Sequence, residues 1–284
     1  MAINRPGRGT KTWIDAERHF PDLGLRAVWG RADLLLFLAR RDIKVRYQQT
    51  FFGVLWALFQ PLIMVAIFWV VFGRFVKVDT GNIPYPLFGL AGLILWNLFI
   101  HSVTSAANSL HNHREMIGKI YFPRLLLPFS TVVTSVIDFL IALVLLILLI
   151  SLFAPYGGIW LSPRILLAVV AILITLMAAA GLGAALAALN VMFRDLRQLV
   201  PIISQVGLLA TPVAYPPLSG SEPLALLYYL NPMAGQVTLF RAALLGTPLP
   251  SPLALGVSVG SALLMFVGGL LLFGVLERRL ADIL

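Results

Sequence analysis

Cysteine is absent, and acids are scarce: 12 Asp and Glu stand against 21 Lys and Arg in 284 residues. Disulfides, thiol nucleophiles and cysteine-based metal sites are therefore excluded. Lysine is nearly missing too, with only Lys11, Lys44, Lys77 and Lys119. None stands in a Gly-x4-Gly-Lys-Ser/Thr phosphate loop, since Lys119 follows Gly118 but precedes Ile120. Any nucleotide energy must come from another polypeptide. Histidine is limited to His19, His101, His111 and His113. The His111-x-His113-x-Glu115 spacing scatters its side chains around a helix, so a solvated polar face is the better reading than a metal site. No Ser/His/Asp set and no paired catalytic carboxylates stand out. No enzyme constellation is present.

What fills the chain instead is hydrocarbon. Hydrophobic residues make up 60% and charged residues 12%, with a mean hydropathy of +0.93. That balance belongs to a polytopic membrane protein and to no soluble domain of this size. The net charge of +9 is not a nucleic-acid footprint. It sits in the loops between apolar runs, where topology and anionic lipid account for it. Residues 1–30 are polar and lack the apolar core of a signal peptide. They are expected to be a flexible cytoplasmic N-terminus.

From Arg31 hydrophobes alternate with charge. Leu34, Leu35, Phe37, Leu38, Ile43 and Val45 share the stretch with Arg40, Arg41, Lys44 and Arg46. Such a segment cannot span, so 31–52 is expected to lie in the interface as a basic amphipathic helix. Spans are expected at about 54–72, 86–107, 125–153, 165–191 and 253–276. A shorter crossing is expected at about 198–214. The pair Gln60-Pro61 predicts a kink in the first span, because proline removes a backbone bond. In region 217–246, the pieces 223–230 and 235–245 are too short to cross. The second of them is amphipathic and carries Arg241. Together they read as a re-entrant hairpin, and irregular backbone at membrane depth survives only in protein or against a cavity. Six crossings put both termini inside, with seventeen basic residues on the inner side against four outside. The fold class is thus an all-α polytopic membrane protein with six transmembrane helices.

The polar interruption at 108–124 carries Arg114, Lys119 and Arg124 against Glu115, which keeps it inside. Leu110, His113, Met116, Ile117 and Ile120 recur at helical spacing, so it holds a short amphipathic helix. It is either a bare anchor between spans or a docking knob for a cytoplasmic partner. Asp138 lies roughly 20 Å along the third span, among Ser130, Thr131, Thr134 and Ser135. An acid at that depth is paired or functional. A structural hydrogen bond to Asn97 is the expectation. Gly181, Gly183 and the alanines of 178–188 make the fourth span small-faced, which suits close helix packing. Phe52, Trp56 and Phe59 share one face of the first span, with Phe68 and Phe72 opposite. Such a face fits lipid or a helix as well as a sugar conduit.

Several strings resemble one family: Arg41-Asp-Ile-Lys-Val-Arg-Tyr47, Gly53-Val-Leu-Trp-Ala-Leu-Phe-Gln-Pro61, Tyr121-Phe-Pro-Arg124, Asn190-Val-Met-Phe-Arg-Asp-Leu-Arg197 and Leu230-Asn-Pro-Met233. From about residue 31 onward the chain resembles the permease subunits of ABC-2-type exporters of polysaccharides and polyol phosphates, which serve O-antigen, capsule and teichoic acid export. The resemblance implies one transmembrane domain over 53–284 and a homodimer in the bacterial plasma membrane. It also implies two copies of a separate cytoplasmic ATPase that binds ATP and Mg, while this chain binds no cofactor. The loop 108–124 would dock the ATPase through His111, Arg114, Glu115, Lys119, Tyr121 and Arg124. A second contact would use Arg194, Asp195 and Arg197. The cargo implied is a polyprenyl-diphosphate-linked glycan. It would meet Arg40, Arg41, Lys44, Arg46 and Tyr47 at the inner surface, where a basic belt also suits a diphosphate electrostatically. A channel lined by Phe52, Trp56, Phe59 and Tyr215 would follow, then an outer gate at Tyr228, Tyr229 and Asn231. Three readings compete: a lipid or drug exporter of the same family, a secondary transporter using Asp138, and a membrane-embedded transferase. One lone acid and no internal repeat argue against the second. The missing catalytic cluster argues against the third.

Overall fold

The computed structural model describes residues 25–48, 54–118, 122–153, 164–217 and 223–283, and every regular element among them is helical. A short α1 (Leu25–Trp29) turns into α2 (Ala32–Gln48), and α3 (Val54–Phe68) follows. Pro61 lies inside α3, and the helix continues through it. A π-helical turn, Trp69–Phe75, then extends it beyond the expected end near Phe72. Next come α4 (Tyr85–Asn112), a single turn α5 (Arg114–Ile117), α6 (Leu126–Leu152) and α7 (Ile165–Met192). A 3-10 turn (Arg194–Gln198) leads into α8 (Leu199–Ala210). The chain finishes with α9 (Pro223–Tyr228), α10 (Pro232–Leu245) and α11 (Pro252–Ile283).

Five stretches are long and apolar enough to cross a membrane: Leu58–Phe75, Tyr85–Asn112, Leu126–Leu152, Ile165–Met192 and Pro252–Glu277. They match the five long expected spans. At twelve residues, α8 is too short to qualify on length. The centre of the fold is α4, most of which is buried, whereas α3 exposes Phe59, Leu62, Ile63 and Ile67, and the π-helical turn exposes Trp69.

Small residues set the core spacing. A methyl group at Gly181 would sit 2.3 Å from Phe266 Cα, and one at Gly269 would sit 2.0 Å from the Gly181 carbonyl oxygen. Backbones of α7 and α11 touch there, as the small-faced span predicts. A methyl on Gly183 would meet Ala106 Cβ at 2.5 Å, so α4 also packs tightly on α7. Asn190 Nδ2 fastens the same pair by donating to the Ala107 carbonyl at 3.0 Å.

Two expectations need correction. Helix α10 is not amphipathic: Pro232 through Ala243 are all buried, and Arg241 is 1% exposed. Its guanidinium is not a surface charge. Nε donates to the Phe88 carbonyl at 3.0 Å, Nη1 to Pro212 and Nη2 to Val213 at 2.6 Å. The charge also lies 3.6 Å from the centre of the Phe88 ring. Three carbonyls and a π face stand in for water, which makes burial tolerable. The second correction concerns Asp138, whose carboxylate pairs with Arg46 of α2 and not with Asn97.

Candidate functional site

Helix α2 lies across α6 and turns Arg41, Asp42, Val45 and Arg46 to one side, since positions i, i+1, i+4 and i+5 share a face. That side borders a cavity of about 640 Å³. Ser105, Ser109, Asn112 and His113 from α4 and its end line another wall, and Thr131 and Thr134 of α6 line the floor. All of these residues except Val45 are polar or charged, although their hydrocarbon parts form most of the wall.

Two clasps hold α2 over this cleft. At one end Arg41 donates to Asp42 at 2.8 Å, contacts His113 Nε2 and reaches Met116 Sδ at 3.8 Å. His113 caps the end of α4 and precedes α5, and its Nδ1 donates to the Ser109 carbonyl at 2.8 Å. Asp42 lies 3.8 Å from its Nε2. The Asp42 carboxylate beside it holds the His113 pKa above its usual 6.5, against the opposing effects of burial and Arg41. Burial alone would raise the Asp42 pKa, but His113 and Arg41 together bring it below 3.8. At the other end Arg46 grips Asp138. The α5 turn and the third span are thus joined through one helix.

The docking residues expected from the sequence separate into outward and inward groups. Arg114, Glu115 and Asp195 are exposed. His111 and Arg197 meet each other at 3.0 Å, which brings the α5 region and the 3-10 turn together. Arg124 turns inward and donates to the Glu277 carbonyl at 3.1 Å, fixing the start of α6 to α11. Among the basic belt, Arg40 and Lys44 are exposed on the far side of α2 from the cleft. Lys119, Tyr121 and Phe52 lie outside the described residues, as do the side chains of Tyr47, Trp56 and Arg194.

At the opposite end of α4, the expected channel and gate residues do varied things. Phe59 is exposed on α3. Tyr215 donates to the Leu209 carbonyl at 2.7 Å, closing the turn that follows α8. Tyr228 and Tyr229 stack edge to face at 5.5 Å, and Tyr229 is buried. Asn231 caps α10 by accepting from Met233 N at 3.0 Å, and its Nδ2 donates to Thr211 Oγ1 at 2.9 Å. Tyr85 ties the same region to α4 through the Ala214 carbonyl at 2.8 Å. Tyr215, Tyr228, Tyr229 and Asn231 therefore gather around residues 209–214, while Phe59 does not join them.

Sequence reasoning missed Asp42, Ser105, Ser109 and Asn112. The signal was present: polar residues at 97, 101, 104, 105, 108 and 112 keep helical spacing through an otherwise apolar span.

Comparison with known proteins agrees with this architecture. The sequence model of the ABC-2 type transporter family matches residues 33–245. The O-antigen export system permease protein RfbA of Myxococcus xanthus is 32% identical over 220 residues, which cover 77% of this chain and 82% of that protein. Two Klebsiella pneumoniae proteins of the same name are 27% and 26% identical over 253 residues, covering 89% of this chain and 95% of each.

Proposed function

The chain belongs to the ABC-2 type transporter family, and from that premise we propose that it is the permease of an ATP-driven exporter of a polyprenyl-diphosphate-linked glycan. The cargo is O-antigen or a similar surface polysaccharide, moved from the cytoplasm across the bacterial plasma membrane. The relatives' names and the extent of their match support the cargo class. No phosphate loop stands in this sequence, which fits ATP and Mg being handled by a separate ATPase; two copies of it against a homodimer of this chain are what the family resemblance implies. In this reading α8 is a short sixth crossing and both termini are cytoplasmic. Helix α2 lies at the inner surface, and α9–α10 form the outer hairpin.

The observation that carries the reading is the α5 turn. It presents Arg114 and Glu115 outward at the end of the most buried span, while His113 fastens it to α2. A turn serving only as an anchor needs no such strap. An ATPase pressing on it would move α2, and through Arg46 the third span. Reversing charge with Glu115→Arg is expected to leave the ATPase bound but uncouple its hydrolysis from export. Unchanged export at equal protein abundance would remove the docking role.

The direct test is a deletion strain analysed for surface glycan and lipid-linked intermediates together. Loss of surface polymer with accumulation of its lipid-linked form is expected. Normal surface glycan would favour a lipid or drug exporter of the same family.

A further inference from the structure

Helix α4 is the best-buried span, yet one side of its second half is polar. Asn97, His101, Thr104, Ser105, Asn108 and Asn112 fall within a sector of about 100° over a length of about 22 Å. His101 and Asn112 are exposed, and the other four are half-buried. The stripe runs into the cleft, where Ser105 and Asn112 meet Thr131, Thr134 and Arg46. Facing hydrocarbon, such a stripe would be costly; facing a wet path, it is not.

Its hydrogen bonds have a direction. Thr104 Oγ1 donates to the Ile100 carbonyl at 2.7 Å and Asn108 Nδ2 to the Thr104 carbonyl at 2.9 Å. Thr131 and Thr134 donate to Pro128 and Thr131 carbonyls at 2.8 and 2.7 Å. The Thr104, Thr131 and Thr134 hydroxyl protons and one Asn108 N–H are committed to their own helices, which leaves their lone pairs, the second Asn108 N–H and the Asn112 amide for a ligand. The nearby cations are balanced, Arg41 by Asp42 and Arg46 by Asp138. The surface exchanges hydrogen bonds of both senses, and because its arginines are already paired it offers a polyanion little.

We propose that this face of α4, with Thr131 and Thr134, is the wall along which the exported chain slides, and that it favours an uncharged, hydroxyl-rich glycan over a polyanion such as a polyol phosphate. The inference rests on the glycan-export reading above and adds to it the contact residues and the charge class of the cargo. Sugar hydroxyls donate to Thr104, Asn108, Thr131 and Thr134 and exchange one acceptor for the next as the polymer advances. The Arg46–Asp138 pair stays internally neutral and does not retain the chain.

The absence of native cysteine makes the test clean. Single cysteines at Ser105 or Asn108 are placed in the full permease–ATPase complex in membrane vesicles. Controls carry a cysteine at Val144 or Leu264, which are exposed and apolar. A membrane-impermeant sulfonate thiol reagent is expected to label the first pair and not the controls. A neutral oligosaccharide should protect the first pair, and polyglycerol phosphate should not. Labelling no greater than the controls, or self-crosslinking in its place, would show lipid or a second copy on this face and overturn the wall. Equal protection by both polymers would overturn the charge preference.

Export supplies the second readout. In the deletion strain, Thr104→Val and Asn108→Leu should lower surface glycan about fivefold at equal abundance. Thr104→Ser and Asn108→Asp, which keep the acceptor, should restore most of it. Full export by Asn108→Leu would refute the wall while leaving glycan export intact. Failure of the wild-type copy to affect surface glycan would instead refute the reading on which the wall rests.

Discussion

Arg241 shows how one side chain can govern a whole junction. Its three carbonyl partners come from α4 and from the turn after α8, so a neutral replacement strands all three. Each buried group left unpaired costs about 1–3 kcal/mol. Arg241→Met is therefore expected to cost several times a typical point mutation. Gly92 is fixed by the same group, since a methyl there would lie 2.3 Å from Arg241 Nη2. Gly92→Ala should lose about 1–3 kcal/mol by overpacking. Thermal unfolding of the purified protein in detergent checks both. His113 gives a prediction in pH. Its pKa is raised in the folded chain, so its stabilisation is complete below 6.5 and fades as pH climbs through the raised value. Asp42 acts at the other end, stabilising above 3.8 and losing that contribution as pH falls through its lowered value. Raising the pH from about 6 to about 8 should lower the melting temperature of the wild type more than that of His113→Gln. Equal slopes would remove His113 from the strap.

At the scale of elements, the contacts fall into clasps and seams. The clasp between α2 and α6 is the Arg46–Asp138 pair, with both side chains partly exposed. Arg46→Ala takes away a partner of a carboxylate on a membrane span, and export should fall with it. Adding Asp138→Asn should recover part of the loss, because the second change removes the charge left behind. No recovery in the double variant would mean that the pair does not act as a unit. The seam between α7 and α11 is backbone against backbone, so Gly181→Ala cannot be absorbed by a side-chain rotation. It should cost about 1–3 kcal/mol or more, read again from the melting temperature. This seam was legible in the sequence, because Gly and Ala crowd one stretch of a hydrophobic span. The clasp was not. Asp138 was recognisable as an acid out of place, but its partner lies 92 residues earlier on a helix expected to lie in the interface.

For the molecule as a whole, the long spans were legible because hydrophobic length is a local property. So was the polar interruption between α4 and α6, since charge marks a span end wherever it falls. Helix α10 was misread for the opposite reason. An apolar run broken by Gln236, Thr238 and Arg241 looks amphipathic in isolation, and only tertiary structure supplies the carbonyls that let the arginine go inside. The expected aromatic channel was drawn from one face of α3, whereas polar spacing along α4 passed unnoticed inside a run that hydropathy averages as greasy. Residue type pointed to the membrane. Residue direction, which no composition records, separates lipid from cleft.

The socket around Arg241 also bears on how the protein is made. Phe88 is translated 153 residues before the arginine that binds its carbonyl. An arginine near the centre of an isolated helix resists insertion by about 2.5–3.5 kcal/mol, and α10 is shorter than a full crossing. This helix cannot be handed to the bilayer alone. It has to wait at the membrane until α4 and the 212–213 turn have come together, and then dock into a receptor built from the chain's own earlier products. A nascent chain stopped after α8 accordingly carries an empty seat.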